Sequence, residues 1–320
     1  MEFVVLYCNK NQYQMFEEFI FKYSLADYNQ VKILVYDDNS IPEQKELLKK
    51  LCLKYNNIEW INPQVTKDSP SPIFSAFKAA DEYLLNIKSS PNWMLFFEND
   101  CFPFQENFWE ELNSILIKYN WLENKVGLFG FSNFQKYNQG KQIHSLGNPV
   151  PGRGNLLKGI LQPPYSGWYQ NLPQEYYKTD YFVLEVPNWQ SVCVNRKLFR
   201  EKISVDVEYK GRLLNTDDIA HQFMLYNIFN ICFPNLAVYH DSGELKNNVN
   251  LISDIKYSRS NNVHEVFENR WGWKWGKRNI HLRYQFEQVL KNSNFYNNSI
   301  QKKLFYMHIN EGPKSIIDFE

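Results

Sequence analysis

The residues with the most chemistry to offer are short acidic clusters that end apolar runs or open helices. The densest is Glu98-Asn99-Asp100, entered directly from Trp93-Met94-Leu95-Phe96-Phe97. Five consecutive apolar residues mark a central strand buried on both faces. Two carboxylates at its end carry charge that is costly unless compensated. A divalent cation is a natural compensator. Mg²⁺ and Mn²⁺ favour carboxylate oxygens, take few protein ligands and leave room for substrate phosphates. The plain alternative is a solvated strand end before the next helix.

Tyr36-Asp37-Asp38-Asn39-Ser40 closes a second apolar run. In open parallel sheets, ligands bind beyond the carboxyl ends of the strands. Acidic side chains there can accept hydrogen bonds from a base or a ribose. Locally, Ser40-Ile41-Pro42-Glu43 reads as a capping box with proline in the first turn. That explains Ser40 and Glu43 but not two aspartates before them.

Asn215-Thr216-Asp217-Asp218-Ile219-Ala220-His221 opens a helix. Thr216 suits a cap, and acids in a first turn complement the helix dipole. The functional reading is a general base presented from a helix start. Ala237-Val238-Tyr239-His240-Asp241 ends a later strand, where His240 is either an ordinary polar residue or a metal ligand.

These clusters need elements to position them. Apolar runs at Phe3–Cys8, Val31–Tyr36, Ile58–Ile61, Trp93–Phe97 and Val126–Phe131 read as strands. Helical spacing recurs at 15–23, 43–55, 73–87 and 104–119. Strands alternating with helices imply βαβ units: an α/β fold with a mostly parallel sheet covered on both faces. Residues 138–178 are rich in Gly, Pro, Tyr and Gln, and read as a long irregular excursion. Strand signals return at 181–186, 191–194 and 231–239, with a helix over 215–229.

In this order, the clusters resemble the GT-A glycosyltransferases, closest to their family-2-like inverting group. The matching residues are Asp37-Asp38-Asn39-Ser40, Glu98-Asn99-Asp100, Asp217-Asp218 and His240, spanning about residues 2–243. The resemblance implies a GT-A, Rossmann-like fold and a metal-dependent transferase using a nucleoside-diphosphate sugar, with uridine the expected nucleoside. It makes Asp38 the reader of the base, with Asp37 beside it and Leu6, Tyr7 and Cys8 lining the base pocket. Asp100 becomes a metal ligand, joined by His240. Glu98 departs from the usual aspartate and would touch the metal, its waters or the ribose, with Asn99 between. Asp218, with Asp217 beside it, becomes the base that deprotonates a hydroxyl of a glycan or other acceptor. Mn²⁺ or Mg²⁺ is the implied cofactor.

The resemblance also divides the chain. Residues 1–245 would be the catalytic domain, with a nucleotide-binding half (1–131) and an acceptor half (132–245). Residues 246–320 would form a helical C-terminal extension. Lys274-Trp275-Gly276 loosely matches an aromatic-basic stretch of these enzymes, so Lys274 would reach the diphosphate. The plain alternative is that tryptophans around 271–275 anchor this tail. A further alternative has them touch a lipid surface together with Arg270, Lys277 and Arg278. Trp168, Tyr169 and Trp189 are candidate acceptor-stacking groups.

Bulk composition is consistent with this picture. The chain has 320 residues, 44% of them hydrophobic, enough for a large core. Lys+Arg and Asp+Glu both total 35, which gives no charge argument for nucleic acid. Cys8, Cys52, Cys101, Cys193 and Cys232 are scattered with no CxxC pair, which points to reduced thiols and a cytoplasmic setting. No run approaches membrane-spanning length, and the first residues lack a signal-peptide pattern. The competing functions are a sugar nucleotidyltransferase and a non-catalytic carbohydrate-binding protein. Asn9-Lys10-Asn11-Gln12-Tyr13 lacks the glycines and arginine expected of the former.

Overall fold

The computed structural model describes residues 3–22, 31–61, 72–87, 91–136, 142–145, 148–149, 168–169, 180–187, 190–205, 215–240 and 263–271. The first half alternates strand and helix: β1 (Phe3–Asn9), α1 (Tyr13–Lys22), β2 (Ile33–Asp37), α2 (Pro42–Cys52), β3 (Ile58–Ile61), α3 (Pro72–Asn86) and β4 (Trp93–Glu98). Next come β5 (Cys101–Pro103), α4 (Phe108–Lys118), β6 (Val126–Lys136), β7 (Gln142–Ser145), β8 (Asn148–Pro149) and β9 (Trp168–Tyr169). The rest comprises β10 (Phe182–Val186), β11 (Ser191–Asn195), α5 (Arg196–Lys202), α6 (Asn215–Leu225), β12 (Phe229–His240) and α7 (Val263–Trp271).

All the strands join one sheet, whose main path runs β3-β2-β1-β4-β11-β6-β12-β10-β8. From β3 to β4 every pairing is parallel. Strand β11 is antiparallel to both β4 and β6. Strands β6 and β12 are parallel again. Along β3 to β12, therefore, β11 alone is reversed, and the α/β, mostly parallel architecture expected from the sequence holds.

Alternation along the strands splits the core in two. Phe3, Val5 and Tyr7 face one side, packing with Phe16 and Phe19 of α1, Leu48 of α2 and Trp109 of α4. Val4 and Leu6 face the other, with Phe74 and Phe77 of α3, Phe199 of α5, Phe223 of α6 and Phe267 of α7. Helices thus cover both faces, as a buried parallel sheet requires. On the second face, Asp81 of α3 is held by the Nε of Arg196 and of Arg200, each at 2.9 Å.

Several local expectations change. Ser40 does not cap α2: Ile41 holds the cap position without a side-chain bond. The Ser40 hydroxyl instead donates to Asp37 and accepts from the Asn11 N–H. Helix α4 starts at Phe108 rather than Phe104, because the chain keeps pairing past β5. The Phe104 N–H donates to the Ala237 carbonyl at 2.9 Å, and the Ala237 N–H donates to Gln105 at 2.8 Å. Helix α6 ends at Leu225, before Asn227 takes a left-handed φ of 57°. The stretch 138–178, expected to be irregular, contains β7, β8 and β9.

Candidate active site

Strand β4 delivers Glu98 and Asp100 to the carboxyl end of the sheet. Strand β5 follows at once and pairs antiparallel with the end of β12, placing Cys101 opposite His240. That pairing brings His240 Nε2 within 3.0 Å of Asp100 Oδ2, although 140 residues separate them. Glu98, Asp100, Cys101 and His240 offer ligand atoms that all lie within 4.8 Å of one another. Two carboxylates and an imidazole suit a divalent cation that also takes oxygen ligands from a substrate. The sequence reading missed Cys101, whose only signal is its place beside Asp100. Burial raises its thiol pKa well above the usual value, with the Asp100 charge adding to the shift. Hard cations such as Mn²⁺ and Mg²⁺ prefer oxygen to sulfur, which leaves the carboxylates and the imidazole as the main donors.

The β1–α1 loop ties the site's two other edges together. Asn99 donates through Nδ2 to Gln12 Oε1 at 2.6 Å, and its carbonyl accepts from the Tyr7 hydroxyl at 2.8 Å. On the other side, the Asn11 N–H donates to Ser40 Oγ at 2.8 Å, and Asn11 Oδ1 accepts from the Ile41 N–H at 2.7 Å. Parallel pairing sets Asn9 beside Asp37 and Cys8 beside Glu98. Asp37 and Glu98 thus end the two strands flanking β1.

Asp37 and Asp38 behave differently. Asp37 folds back on Ser40, accepting its N–H at 3.0 Å, and lies 4.0 Å from Lys45. Those bonds build the turn, in which Asn39 takes a φ of 57°. Asp38 is also buried, at 8% exposed, and lies 3.6 Å from Lys10. Leu6 and Tyr7 are fully buried, one in each half of the core, so their side chains serve packing. Cys8 is partly exposed.

Helix α6 places Asp217 and Asp218 in its first turn. Asp217 is partly exposed, whereas Asp218 is fully buried. Asp218 Oδ2 accepts from Gln222 Nε2 at 2.7 Å, one helical turn on. Asp218 Oδ1 accepts from the Trp271 indole N–H at 2.7 Å and faces Arg270 Nε at 3.0 Å. Burial is the largest influence and pushes the carboxyl pKa up to about 6, while Arg270, Trp271 and Gln222 pull the other way. The sequence reading gave Arg270 and Trp271 no part in this site, and no local pattern links them to a residue more than fifty positions away. Arg270 also donates to the Ser204 carbonyl at 2.9 Å. Its guanidinium therefore bridges Asp218 and the segment at Ser204.

Trp168 and Tyr169 form β9, paired with β7. Trp189, Lys274, Lys277 and Arg278 lie outside the described residues.

No family model matches this sequence. No curated protein matches it either. Solved structures do. GalNAc-T7, solved with UDP, GalNAc and Mn²⁺, is similar with a TM-score of 0.52 at 12% identity, over 92% of this chain and 57% of that one. The fold is GT-A. The chain spans little more than half of that GalNAc-T7 chain, and at this identity the GT-A likeness is one of architecture. A mannosyltransferase from Pyrobaculum calidifontis, PcManGT, in complex with GDP-Man and Mn²⁺, also matches. It does so with a TM-score of 0.49 at 8% identity, over 97% of this chain and 74% of that one.

Proposed function

We propose that this chain is a metal-dependent glycosyltransferase. It moves a sugar from a nucleoside-diphosphate donor, a UDP-sugar, onto a hydroxyl of a glycan or other acceptor. The observation that carries the reading is the meeting of Glu98, Asp100 and His240 at one end of a GT-A sheet. Asp100, His240 and Glu98 would hold Mn²⁺ or Mg²⁺. When bound, the cation supplies Lewis-acid neutralisation of charge on the departing diphosphate. The Mn²⁺ bound with GalNAc-T7 supports that assignment.

Asp38, at the end of β2, reads the base, with Cys8 and the backbone of Leu6 and Tyr7 beside it. Asp37 holds the turn that presents Asp38. Asn99 fixes the height of the Glu98–Asp100 turn through its bond to Gln12. Asp218 acts as the base, with Asp217 its partly exposed neighbour. As the acceptor oxygen bonds to the anomeric carbon, Asp218 takes the hydroxyl proton. The bond to the diphosphate breaks on the opposite face, its electron pair leaving with the diphosphate, and configuration inverts. General-base help of this sort contributes roughly 10²–10⁴-fold. Trp168, Tyr169 and Trp189 would line the acceptor side, and Lys274 would reach the diphosphate.

The same reading takes residues 1–245 as the catalytic unit and 246–320 as its extension. Five free cysteines support a cytoplasmic setting. Among the described residues, no helix is long and apolar enough to cross a membrane.

The test is a panel of UDP- and GDP-sugars incubated with Mn²⁺, scored for release of nucleoside diphosphate. Release that needs the metal and disappears in Asp100→Ala is expected. If no sugar nucleotide is turned over and UDP with Mn²⁺ gives no thermal stabilisation, the transferase reading fails and a carbohydrate-binding role takes its place.

A further inference from the structure

Helix α7 lies beyond β12, the last strand of the GT-A sheet, yet its final residues end on the carboxylate of α6. Phe267 is 1% exposed and sits in the core beneath α6. Trp271 packs against Phe267 and against His221, with ring centroids 6.2 Å and 5.5 Å apart. This packing aims the indole N–H at Asp218 Oδ1. Arg270 adds its Nε to the same oxygen while its terminal nitrogen holds the Ser204 carbonyl. Gln222 closes the ring, accepting from the Ser204 N–H at 2.7 Å and donating to Asp218 Oδ2.

We infer that Arg270 and Trp271 are positioning residues for proton abstraction: α7 orients the Asp218 carboxylate and keeps it ionised. The inference rests on Asp218 being the base of the transferase proposed above. A carboxylate has about four lone-pair directions. The two α7 donors occupy Oδ1 and Gln222 occupies one direction on Oδ2. Oδ1 thus carries the charge-assisted contact and Oδ2 a neutral one, so the clamp selects which oxygen is basic. A buried carboxylate without charge-assisted partners would hold its proton. Among the described residues, the titratable groups beside Asp218 are Arg270 on α7, with His221 and Asp217 on α6. The contacts from Ser204 to this cluster are its neutral backbone N–H and carbonyl.

The test compares Arg270→Gln and Trp271→Phe with the wild type. The probe is whichever sugar nucleotide of the UDP and GDP panel is turned over with Mn²⁺. Loss of either donor raises the carboxyl pKa, so the acidic limb of the kcat profile should move to higher pH. A shift of about one unit corresponds to a tenfold loss of kcat well below the pKa. That loss should largely recover by pH 8, with KM for the sugar nucleotide within about twofold. A loss equal at every pH, or one confined to KM, overturns the inference.

If the wild type turns over nothing, the transferase reading fails separately, and the clamp is still readable from melting temperature against pH. A carboxyl with a raised folded-state pKa loses stability as pH climbs from its usual value toward the folded one. In Arg270→Gln that decline should extend to higher pH, and Asp218→Asn should erase the difference between the two arginine backgrounds. Parallel curves in both backgrounds overturn the clamp.

Discussion

His240 Nε2 and Asp100 Oδ2 lie 3.0 Å apart because a three-residue strand, β5, pairs with the end of β12. The pairing makes the candidate metal centre a joint product of the two halves of the chain. Asp100→Ala or His240→Ala should therefore weaken Mn²⁺ binding without unfolding the sheet. Loss of groups that support metal ligation costs roughly 10–100-fold in affinity, and loss of a ligand itself should cost at least that. Calorimetric titration with Mn²⁺ reads this directly. Unchanged affinity in both variants removes the site.

Asp218→Asn should abolish transfer, by at least about 10²-fold, while Mn²⁺-dependent thermal stabilisation by UDP stays intact. In the wild type, activity should fall on acidification through about pH 6, since a base must be ionised and burial places the Asp218 carboxyl there. Asp217→Asn, at a partly exposed position, should leave that limb in place. A variant Asp218→Asn that keeps more than about a tenth of the activity would show that the proton goes elsewhere.

The ion pairs at Asp81 are a matter of stability alone. Asp81→Ala strands Arg196, a residue only 5% exposed, without its carboxylate partner. Breaking a buried pair from one side costs about 3–5 kcal/mol. Chemical denaturation should show a loss of that order, with activity per folded molecule unchanged. A loss under about 1 kcal/mol would mean that Arg196 finds water or the Pro91 carbonyl sufficient.

Gly127 in β6 leaves room for Phe223 of α6. A Cβ there would sit 2.4 Å from the phenyl ring. Gly127→Ala should cost about 1–3 kcal/mol as an overpacked core. Because the helix that must shift also carries Asp218, kcat should fall more than the affinity for nucleotide. Equal melting temperatures would show that the ring rotates away freely.

Much of this architecture was legible in the sequence, and the reasons are physical. The runs Phe3–Cys8 and Trp93–Phe97 are long enough and apolar enough to be only buried strands, and both are. The acids at the strand ends stood out because charge beside such runs needs an explanation. What stayed hidden depends on long-range contact. Ser40 matched a capping pattern, but Asp37 and Asn11, the latter 29 residues away, compete for its hydroxyl and win. Nothing near Ser191 tells which way β11 runs, since direction is set by its neighbours β4 and β6. The Trp271–Asp218 bond likewise joins segments 53 residues apart, with no periodicity to betray it.

The reversed strand β11 has one more consequence. Because it runs against its neighbours, its first residues arrive where β4 ends and beside the middle of β6. Gln190 lends its carbonyl to the Glu98 N–H at 3.0 Å and its side chain to Asn133 at 2.9 Å. The connection into β11 thus opens at the chemical end of the sheet, whereas the connection out of it leads into α5 at the opposite end. Gln190 therefore couples the start of β11 to the strand that carries Glu98, so a change of length just before β11 would act first on that carboxylate's backbone.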